Sequence, residues 1–520
     1  MLSLVYSAGV SGIDSFIVTV ETDAAPAVPG FELVGLPDAA VKEAKERIRG
    51  ACFNSGYRFP EMFLTLNLAP ADRRKEGSGF DLAMLVGILR CGGMLSPGVD
   101  LDKKCFVGEL SLSGSVRGIR GVLCMCAAAK DAGFNEFYAP AANAAEAAAV
   151  EGITVYAVEN VRQLIDHLNG ASPMSPVVSD VTFMDCDNMA GPDFADVKGQ
   201  AAAKRAMEIA AAGGHNILLI GPPGTGKSML AKRLPSILPP LTFDEAIETT
   251  KIHSVAGTLP GGVSLMTTRP FRSPHHTMSA VSLVGGGVIP MPGEISLAHN
   301  GVLFLDELPE FPKLVTDTLR QPLEDRKVTI TRASGRVTYP CSFMLVAAMN
   351  PCRCGYFGHP THPCTCAPGE VKRYISKISG PLLDRIDIQV ELPSLSYDEL
   401  SSDSAPAETS AEIRKRVVSA RKFMRERLDA AGIVGSETGE RIFCNAQLDS
   451  AGIKATCHMT PTASMVLRSA YENLGFSGRG YDRVLRLART IADLDASDMI
   501  TEAHIAQAIS LRSLDKKYWS

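Results

Sequence analysis

An apolar run that leads directly into a glycine-rich loop and then a helix constrains this chain more than any other segment. The sequence NILLIGPPGTGKSML at 216–230 contains the pattern G-x-x-x-x-G-K-S/T in that setting. In such a loop, backbone N–H groups close around phosphates and the helix N-terminus adds a favourable dipole. We expect Lys227 to reach the β- and γ-phosphates and Ser228 to hold Mg²⁺. The predicted phosphate-binding residues are Gly221, Pro222, Pro223, Gly224, Thr225, Gly226, Lys227 and Ser228.

Two further apolar runs end in polar residues that nucleotide hydrolysis would use. GVLFLDE (301–307) ends in Asp306 and Glu307, and MLVAAMN (344–350) ends in Asn350. The carboxyl ends of parallel strands meet at one edge of a sheet, where ligands bind. We expect Asp306 to hold Mg²⁺ and Glu307 to orient and deprotonate the attacking water. Asn350 is expected to position the same water.

The composition is that of an ordinary soluble, multidomain chain. Its 520 residues include 52 basic and 57 acidic side chains, for a formal net charge of −5, and 46% are hydrophobic. This balance argues against a disordered, collagen-like or membrane-embedded protein. No apolar run reaches the roughly 18 residues needed to cross a bilayer, and no secretory signal opens the chain, so we expect a cytoplasmic protein. The mild acidity still permits nucleic acid at a local basic patch or inside a ring.

Changes in residue pattern predict three domains joined by two linkers. Alternating apolar runs and helical stretches predict an α/β domain at 1–168, with strands at 63–69, 104–110 and 153–158. Residues 197–400 combine β-like runs, helices and glycine-rich turns, as in a parallel-sheet domain, and 411–520 is helical in pattern. The predicted linkers are 169–196 and 401–410.

Four cysteines in two close pairs, at 352–366, predict a structural zinc site. Four thiolates match the closed tetrahedral coordination of such sites, although C-x-C spacing is tighter than the usual C-x₂-C. His359 and His362 lie between the pairs and could replace one thiolate. The alternative is a set of free thiols in a reducing cytoplasm. The candidate ligands are Cys352, Cys354, Cys364 and Cys366.

The order of these motifs resembles that of AAA+ ATPases. The segments at 67–89, 269–287 and 292–311 are similar to those of the YifB/ComM family of magnesium-chelatase-like AAA+ ATPases. The resemblance implies an amino-terminal domain like that of Lon protease and RadA, a P-loop AAA+ core and a carboxy-terminal helical lid. It also implies an ATP-driven hexameric DNA motor that promotes branch migration when incoming DNA is recombined during natural transformation.

The same resemblance implies two arginines that complete the site. LLDRID (382–387) resembles the arginine-finger segment, in which Arg385 would reach the γ-phosphate bound to a neighbouring subunit. In the lid, Arg479 best matches the family's second sensor, and Arg483 is the other candidate. DVKGQ (196–200) resembles the adenine-side entry segment. A finger that acts on a neighbour implies a ring, usually a homo-hexamer.

The Lon-like region does not carry the Ser–Lys dyad of a peptidase. Aligning KEGSGFD (75–81) places Gly79 at the serine position, with Ser78 one residue away. Aligning GSVRGIRGVLC (114–124) places Leu123 at the lysine position. We therefore expect a scaffold or a DNA-binding module and no peptidase activity. Its basic residues, which form either a DNA-binding surface or a solvated face, are Arg73, Arg74, Lys75, Arg117 and Arg120.

A predicted β-hairpin at 327–340 is the main candidate for DNA contact. In related ring motors a hairpin at this position points into the central pore, and 282–293 resembles a second pore loop. The alternative is an ordinary exposed hairpin. The helix at 412–428 is also rich in basic residues and either contacts DNA or is solvated. The hairpin residues expected to track phosphates are Lys327, Arg332 and Arg336.

Together these features predict a hexameric AAA+ DNA motor, a helicase or branch-migration factor that hydrolyses ATP. Its expected cofactors are ATP, Mg²⁺ and a structural Zn²⁺. Its expected partners are single-stranded or branched DNA, other copies of the chain and recombination proteins, with no membrane. The alternative is a protein-remodelling or metal-insertion ATPase like magnesium chelatase, without a DNA substrate.

Overall fold

The computed structural model describes most of the chain, with several gaps. The predicted linkers fall largely in these gaps, since 179–190 and 401–407 lie outside the described residues, as does the hairpin turn at 333–334. The described residues are 1–178, 191–260, 262–332, 335–395, 408–433, 435, 442–474, 477–512, 514 and 518–519.

The amino-terminal region is built on a mixed sheet with the strand order β3-β4-β2-β1-β5-β8-β9. Alternate residues of β4 (Leu64, Leu66 and Leu68) are fully buried, as expected of a strand with one face in the core. The run 104–110, predicted as one strand, is broken at Gly108, whose φ is +152°. The elements are β1 (Leu2–Ser11), β2 (Asp14–Ala25), β3 (Gly30–Val34), α1 (Ala39–Lys42), α2 (Ala44–Asn54), β4 (Phe63–Ala69), α3 (Asp81–Cys91), β5 (Lys104–Phe106), β6 (Glu109–Leu110), β7 (Val116–Arg117), α4 (Val122–Asp131), β8 (Glu136–Pro140), α5 (Ala144–Ala148), β9 (Thr154–Val158) and α6 (Val161–Leu168).

The central region contains a parallel sheet with the strand order β11-β14-β17-β10-β18. Every residue of β10, β14 and β17 is buried, because helices cover both faces of this sheet. The expected mixed α/β fold with a parallel sheet is thus confirmed. The elements are α7 (Ala201–Gly213), β10 (Ile217–Ile220), α8 (Lys227–Arg233), α9 (Phe243–Ala256), β11 (Phe271–Arg272), α10 (Ala280–Val284), β12 (Gly285–Gly286), β13 (Met291–Pro292), α11 (Glu294–Leu297), β14 (Val302–Leu305), α12 (Lys313–Asp317), α13 (Arg320–Asp325), β15 (Lys327–Arg332), β16 (Gly335–Pro340), β17 (Met344–Met349), α14 (Pro368–Ile375), α15 (Gly380–Leu383) and β18 (Ile388–Glu391).

The carboxy-terminal region is helical and is joined to the central region by a buried polar network. The imidazole of His215 hydrogen-bonds to Thr490 Oγ1 at 2.8 Å and to Asp387 Oδ2 at 3.3 Å. Within the helical region, Arg427 pairs with the buried carboxylate of Asp493. None of the helices in the described part of the chain has the length and apolar character needed to cross a bilayer. The elements are α16 (Ser410–Ala430), α17 (Ser450–Thr456), α18 (Pro461–Leu474), α19 (Gly478–Leu494) and α20 (Glu502–Ser510).

The amino-terminal region packs against the central region in two places. Gly12, between β1 and β2, lies directly against the side chain of Val337 on β16. Ser254, in the last turn of α9, donates its hydroxyl to Glu146 of α5, and burial raises the pKa of that carboxyl. A small apolar cluster accompanies this second contact and contains Leu123, Ala149 and Leu265.

Candidate active site

The glycine loop follows β10 at the carboxyl edge of the parallel sheet, as its motif predicts. Gly224 and Gly226 have φ of +80° and +89°, a conformation that glycine adopts without strain. A Cβ at Gly221 would lie 2.6 Å from the carbonyl oxygen of Leu392, so this position has no room for a side chain. Helix α8 then begins at Lys227. The loop therefore leaves a backbone cradle in front of a helix N-terminus.

Lys227 is buried in this cradle and bridges it to the neighbouring strand. Its Nζ donates to the carbonyls of Gly221 and Pro222 at 2.6 and 2.8 Å and to Asn350 Oδ1 at 3.1 Å. Burial lowers the pKa of Lys227 to about 8, against the opposing effect of the Asp306 and Glu307 carboxylates. An anionic ligand is the partner that would restore its usual pKa.

The two carboxylates at the end of β14 lie beside the loop. Ser228 Oγ donates to Asp306 Oδ2 at 2.6 Å, and Asp306 Oδ1 accepts the backbone N–H of Glu307 at 2.9 Å. A hydroxyl and a carboxylate this close form the oxygen donor set that Mg²⁺ takes in phosphate sites, with phosphates and waters as its other ligands. These residues would therefore hold Mg²⁺, as the sequence predicts.

Glu307 itself has a left-handed backbone, with φ of +52° and ψ of +47°. Such a conformation is costly for a residue with a side chain and is often found at functional sites. It leaves the carboxylate 56% exposed, next to the edge where the phosphates would lie. The structure thus brings together the predicted Lys227, Ser228, Asp306, Glu307 and Asn350.

Sequence reasoning missed one residue of this cluster, His276. Its Nδ1 lies 3.6 Å from Glu307 Oε2, and its ring stands edge-on to Phe311 with centroids 6.3 Å apart. His275 packs on its other side, with ring centroids 4.1 Å apart. The consecutive histidines in 269–287 were a usable signal, but a sequence does not show which of them faces a carboxylate far along the chain.

The two predicted arginines, Arg385 and Arg479, lie away from this cluster. They line a cavity of about 430 Å³ together with Asn216, Gly301 and Met344. Those three residues lie at the amino ends of β10, β14 and β17, whereas the glycine loop lies at the carboxyl end. Since four strand residues span about 13 Å, the sheet separates the arginines from the phosphate loop of their own chain.

The environments of these arginines differ. Arg385 pairs with Glu324 at 2.5 Å and donates to the carbonyl of Pro381 at 2.6 Å. Arg483, the other sensor candidate, is buried and lies 3.9 Å from Asp387. Arg479 is exposed at the rim of the cavity, so it is the more accessible of the two sensor candidates.

The cysteine cluster is compact enough to hold a metal ion. The sulfur of Cys352 lies 3.3 Å from that of Cys354 and 3.6 Å from that of Cys364, and the ligand atoms of all four cysteines lie within 4.8 Å of one another. A tetrahedral Zn–S length of about 2.3 Å places sulfurs about 3.8 Å apart, so the set fits zinc. The ring of His359 instead hydrogen-bonds to Ser394 Oγ at 2.7 Å, which favours four thiolates.

Backbone amides prepare Cys354 to act as a thiolate ligand. Desolvation raises its pKa, but the amides of Tyr356 and Thr365 and the thiols of Cys352 and Cys364 outweigh that effect and lower it to about 5. Metals bind the thiolate and not the thiol.

Comparison with known proteins matches the chain over nearly its whole length. Family models match at 193–400 ("Magnesium chelatase, subunit ChlI"), 20–143 ("Subunit ChlI of Mg-chelatase") and 407–512 ("Magnesium chelatase, subunit ChlI C-terminal"). The competence protein ComM of Haemophilus influenzae is 42% identical over 517 residues, which is 99% of this chain and 98% of that protein. The protein YifB of Escherichia coli K12, described as uncharacterized, is 40% identical over 516 residues, 99% of this chain and 98% of that protein.

The chain belongs to the YifB/ComM family of magnesium-chelatase-like AAA+ ATPases. The expected resemblance is thereby confirmed. Lon protease 2 of Bacillus subtilis is 29% identical over 154 residues, 27% of this chain and 26% of that protein.

In this YifB/ComM chain, the residues at or next to the two dyad positions of the Lon-like segment are engaged in contacts elsewhere in the protein. Ser78 donates its hydroxyl to Glu109, and Leu123 is buried in α4. Lys75, expected at a basic surface, is fully buried, and its ammonium donates to the carbonyls of Pro70 and Arg73. That expectation was wrong for Lys75, because a cationic residue can be buried where carbonyls accept its N–H groups.

The predicted hairpin forms in this family member as β15 paired antiparallel with β16. It lies beside the second predicted pore loop, since a Cβ at Gly285 would be 2.9 Å from Ile330 and one at Gly286 would be 3.0 Å from Arg332. Among the described residues, none of the three predicted DNA contacts forms an ion pair. These exposed residues are Lys327, Arg332 and Arg336.

The basic helix α16 has fewer arginines available for DNA contact than its composition suggests. Arg421 donates to the carbonyls of Phe443 and Ala211, and Arg427 pairs with Asp493. Arg421 thus joins α16 to α7 of the central region and Arg427 holds the helical region together, which the charge pattern alone does not reveal.

Proposed function

We propose that this chain is an Mg²⁺-dependent ATP hydrolase of the AAA+ type. The observation that carries the proposal is the meeting of five functional side chains at the carboxyl edge of one parallel sheet. The glycine loop and Lys227 would hold the phosphates, and Ser228 and Asp306 would hold Mg²⁺. The bound ion neutralises charge on the β- and γ-phosphates.

Glu307 is the proposed general base. Its exposed carboxylate would accept a proton from the attacking water, and its left-handed backbone sets the direction in which the side chain leaves the main chain. Asn350 is hydrogen-bonded to Lys227 and would position the same water.

The site would be completed by a neighbouring copy of the chain. Arg385 and Arg479 line a cavity at the opposite edge of the sheet, where they would meet the γ-phosphate bound to the next subunit. A contact between two different faces of identical chains closes into a ring when the rotation between neighbouring subunits closes. The family resemblance makes a homo-hexamer the proposed assembly.

DNA is the proposed substrate of the motor. The exposed basic hairpin lies beside a second, glycine-rich hairpin, and cations from several subunits would track a phosphate backbone without reading sequence. The relative's name, "Competence protein ComM", supports a role in natural transformation. We propose branch migration on single-stranded or branched DNA in the cytoplasm, alongside recombination proteins and without peptidase activity.

The deciding experiment compares ATPase rates without polynucleotide, with single-stranded DNA and with a branched junction at fixed salt. DNA should stimulate the wild type, and replacing Lys327, Arg332 and Arg336 by alanine should remove the stimulation while leaving the basal rate. A matched control replaces three other exposed cations, Lys42, Arg58 and Lys103. A rate that no DNA changes would favour the protein-remodelling alternative.

A further inference from the structure

The cysteine cluster rests directly on the phosphate loop. A Cβ at Gly355 would lie 2.6 Å from Cδ and 2.9 Å from Cγ of Pro223. The ring of a proline cannot rotate away, and Gly355 has a left-handed backbone with φ of +88°. Only a glycine fits this contact, so the position of the cysteine loop and that of the phosphate loop depend on each other.

The residues that make this contact also organise the sulfur atoms. The N–H of Gly355 closes a turn onto the carbonyl of Cys352 at 3.0 Å. Gly355 thus lies in the same turn as Cys352 and is the residue after Cys354, so moving these two sulfurs moves the residue that touches Pro223.

A second connection runs from the cysteine loop to the other side of the phosphate loop. His359 Nε2 hydrogen-bonds to Ser394 Oγ at 2.7 Å. The preceding residue, Pro393, accepts a hydrogen bond from Gln200 Nε2 at 2.8 Å, and the same amide reaches the carbonyl of Thr225 at 3.4 Å. The cysteine loop is thus tied to the phosphate loop at both Pro223 and Thr225.

We propose that metal occupancy of the cysteine cluster and nucleotide occupancy of the phosphate loop are thermodynamically linked, with each favouring the other. Zinc would fix the four sulfurs and with them the loop that supports Pro223. A nucleotide would in turn fix the phosphate loop and hold the cysteine loop in its metal-binding form. Such linkage is reciprocal, and typical values are about 5- to 150-fold in affinity. The inference rests on the proposed nucleotide site.

The test measures the zinc affinity of the full-length protein by equilibrium competition with a colorimetric zinc chelator, with no nucleotide, with ADP and with a non-hydrolysable ATP analogue. Each nucleotide should raise the zinc affinity at least about fivefold. Zinc-stripped protein should bind a fluorescent ADP analogue at least about fivefold more weakly than zinc-loaded protein.

Two glycines of the same loop provide a matched pair of variants. Gly355→Ala should retain one zinc per chain but lose most of the nucleotide effect on zinc affinity. Gly358→Ala is the control, because Gly358 also has a positive φ, of +76°, but has nothing within 4 Å of a Cβ. Ser394→Ala tests the second connection, because it leaves in place the hydrogen bonds that His359 Nδ1 accepts from Thr361 and His362 within the cysteine loop, and it should weaken the effect.

The outcomes separate this inference from the proposed function. A wild-type protein that hydrolyses ATP but binds zinc with the same affinity with and without nucleotide refutes the linkage alone. The same holds if Gly355→Ala and Gly358→Ala behave alike, or if the protein takes up no zinc. A zinc-loaded protein that binds no nucleotide refutes the proposed function, and the linkage with it.

Discussion

The depressed pKa of Lys227 should make nucleotide affinity depend on pH in the alkaline range. Burial lowers this pKa from 10.5 to about 8 in the nucleotide-free protein. A polyanionic ligand favours the charged ammonium, so binding should be accompanied by proton uptake at this residue. With a pKa of about 8 when free, the charged fraction falls about 25-fold between about pH 7.5 and about pH 9.5. The affinity for ADP should fall by up to the same factor.

The lowered pKa of Lys227 also makes the free energy of unfolding rise with pH in the alkaline range. Between about pH 8 and pH 10.5 the unfolded chain binds more protons at Lys227 than the folded chain does. This group therefore destabilises the nucleotide-free protein below about pH 8, by about 3 kcal/mol, and the penalty is lost as the pH rises through that window.

The assay is titration of a fluorescent ADP analogue at several pH values and constant ionic strength. Lys227→Arg is the control, because a guanidinium stays charged throughout this range. Whatever the affinity of this variant for the ADP analogue at neutral pH, that affinity should stay constant over the pH range in which the wild-type affinity falls. An affinity for the wild type that does not change with pH, or an equal fall in both proteins, would show that Lys227 is not the titrating phosphate ligand.

Substitutions at four further positions test the site and the fold. Glu307→Gln should lower turnover about 10²- to 10⁴-fold with ADP binding retained, and Arg385→Ala should also be inactive. In rings assembled from a one-to-one mixture of these two variants, about a quarter of the sites should be active, because one chain supplies the base and its neighbour supplies the arginine. If assembled mixed rings recover no activity, the arginine does not act between subunits. His276→Ala should lower kcat about tenfold without changing KM, with partial rescue by His276→Gln, whereas a change in KM alone would show that it does not orient Glu307. His215→Ala removes one hydrogen bond from the buried Thr490 hydroxyl and one from Asp387, which keep their contacts with Asn445 and Arg483. The loss should cost about 1 to 3 kcal/mol, seen as a lower midpoint in thermal unfolding, and an unchanged midpoint would mean that water replaces the imidazole.

Features set by neighbouring residues could be predicted from this sequence. The glycine loop, the Asp-Glu strand end and the hairpin at 327–340 each depend on a short segment whose residue types specify its backbone. The four-cysteine cluster could also be predicted, because two close pairs of cysteines meet when the loop between them folds back. These expectations describe local geometry, and the structure shows that geometry.

Contacts between distant segments could not be predicted in the same way. Gly355 meets Pro223 and His276 meets Glu307 only because the sheet brings their segments to one edge. Lys75 looked like a surface cation because composition does not show which carbonyls are available to a buried ammonium. The strand predicted at 104–110 is broken at Gly108 because that residue has a positive φ, which the apolar pattern of the segment does not indicate.

The contact of Gly12 with Val337 has a consequence for how the hairpin can move. The amino-terminal region contacts β16 at Gly12 and is hydrogen-bonded to α9 through Glu146 and Ser254. A hairpin that swings during an ATP cycle would therefore have to slide along that region or carry it along. Removing residues 1–168 would take away the contact of Gly12 with β16 and the hydrogen bond of Glu146 with α9, so the hairpin would lose a neighbour that now occupies one side of it.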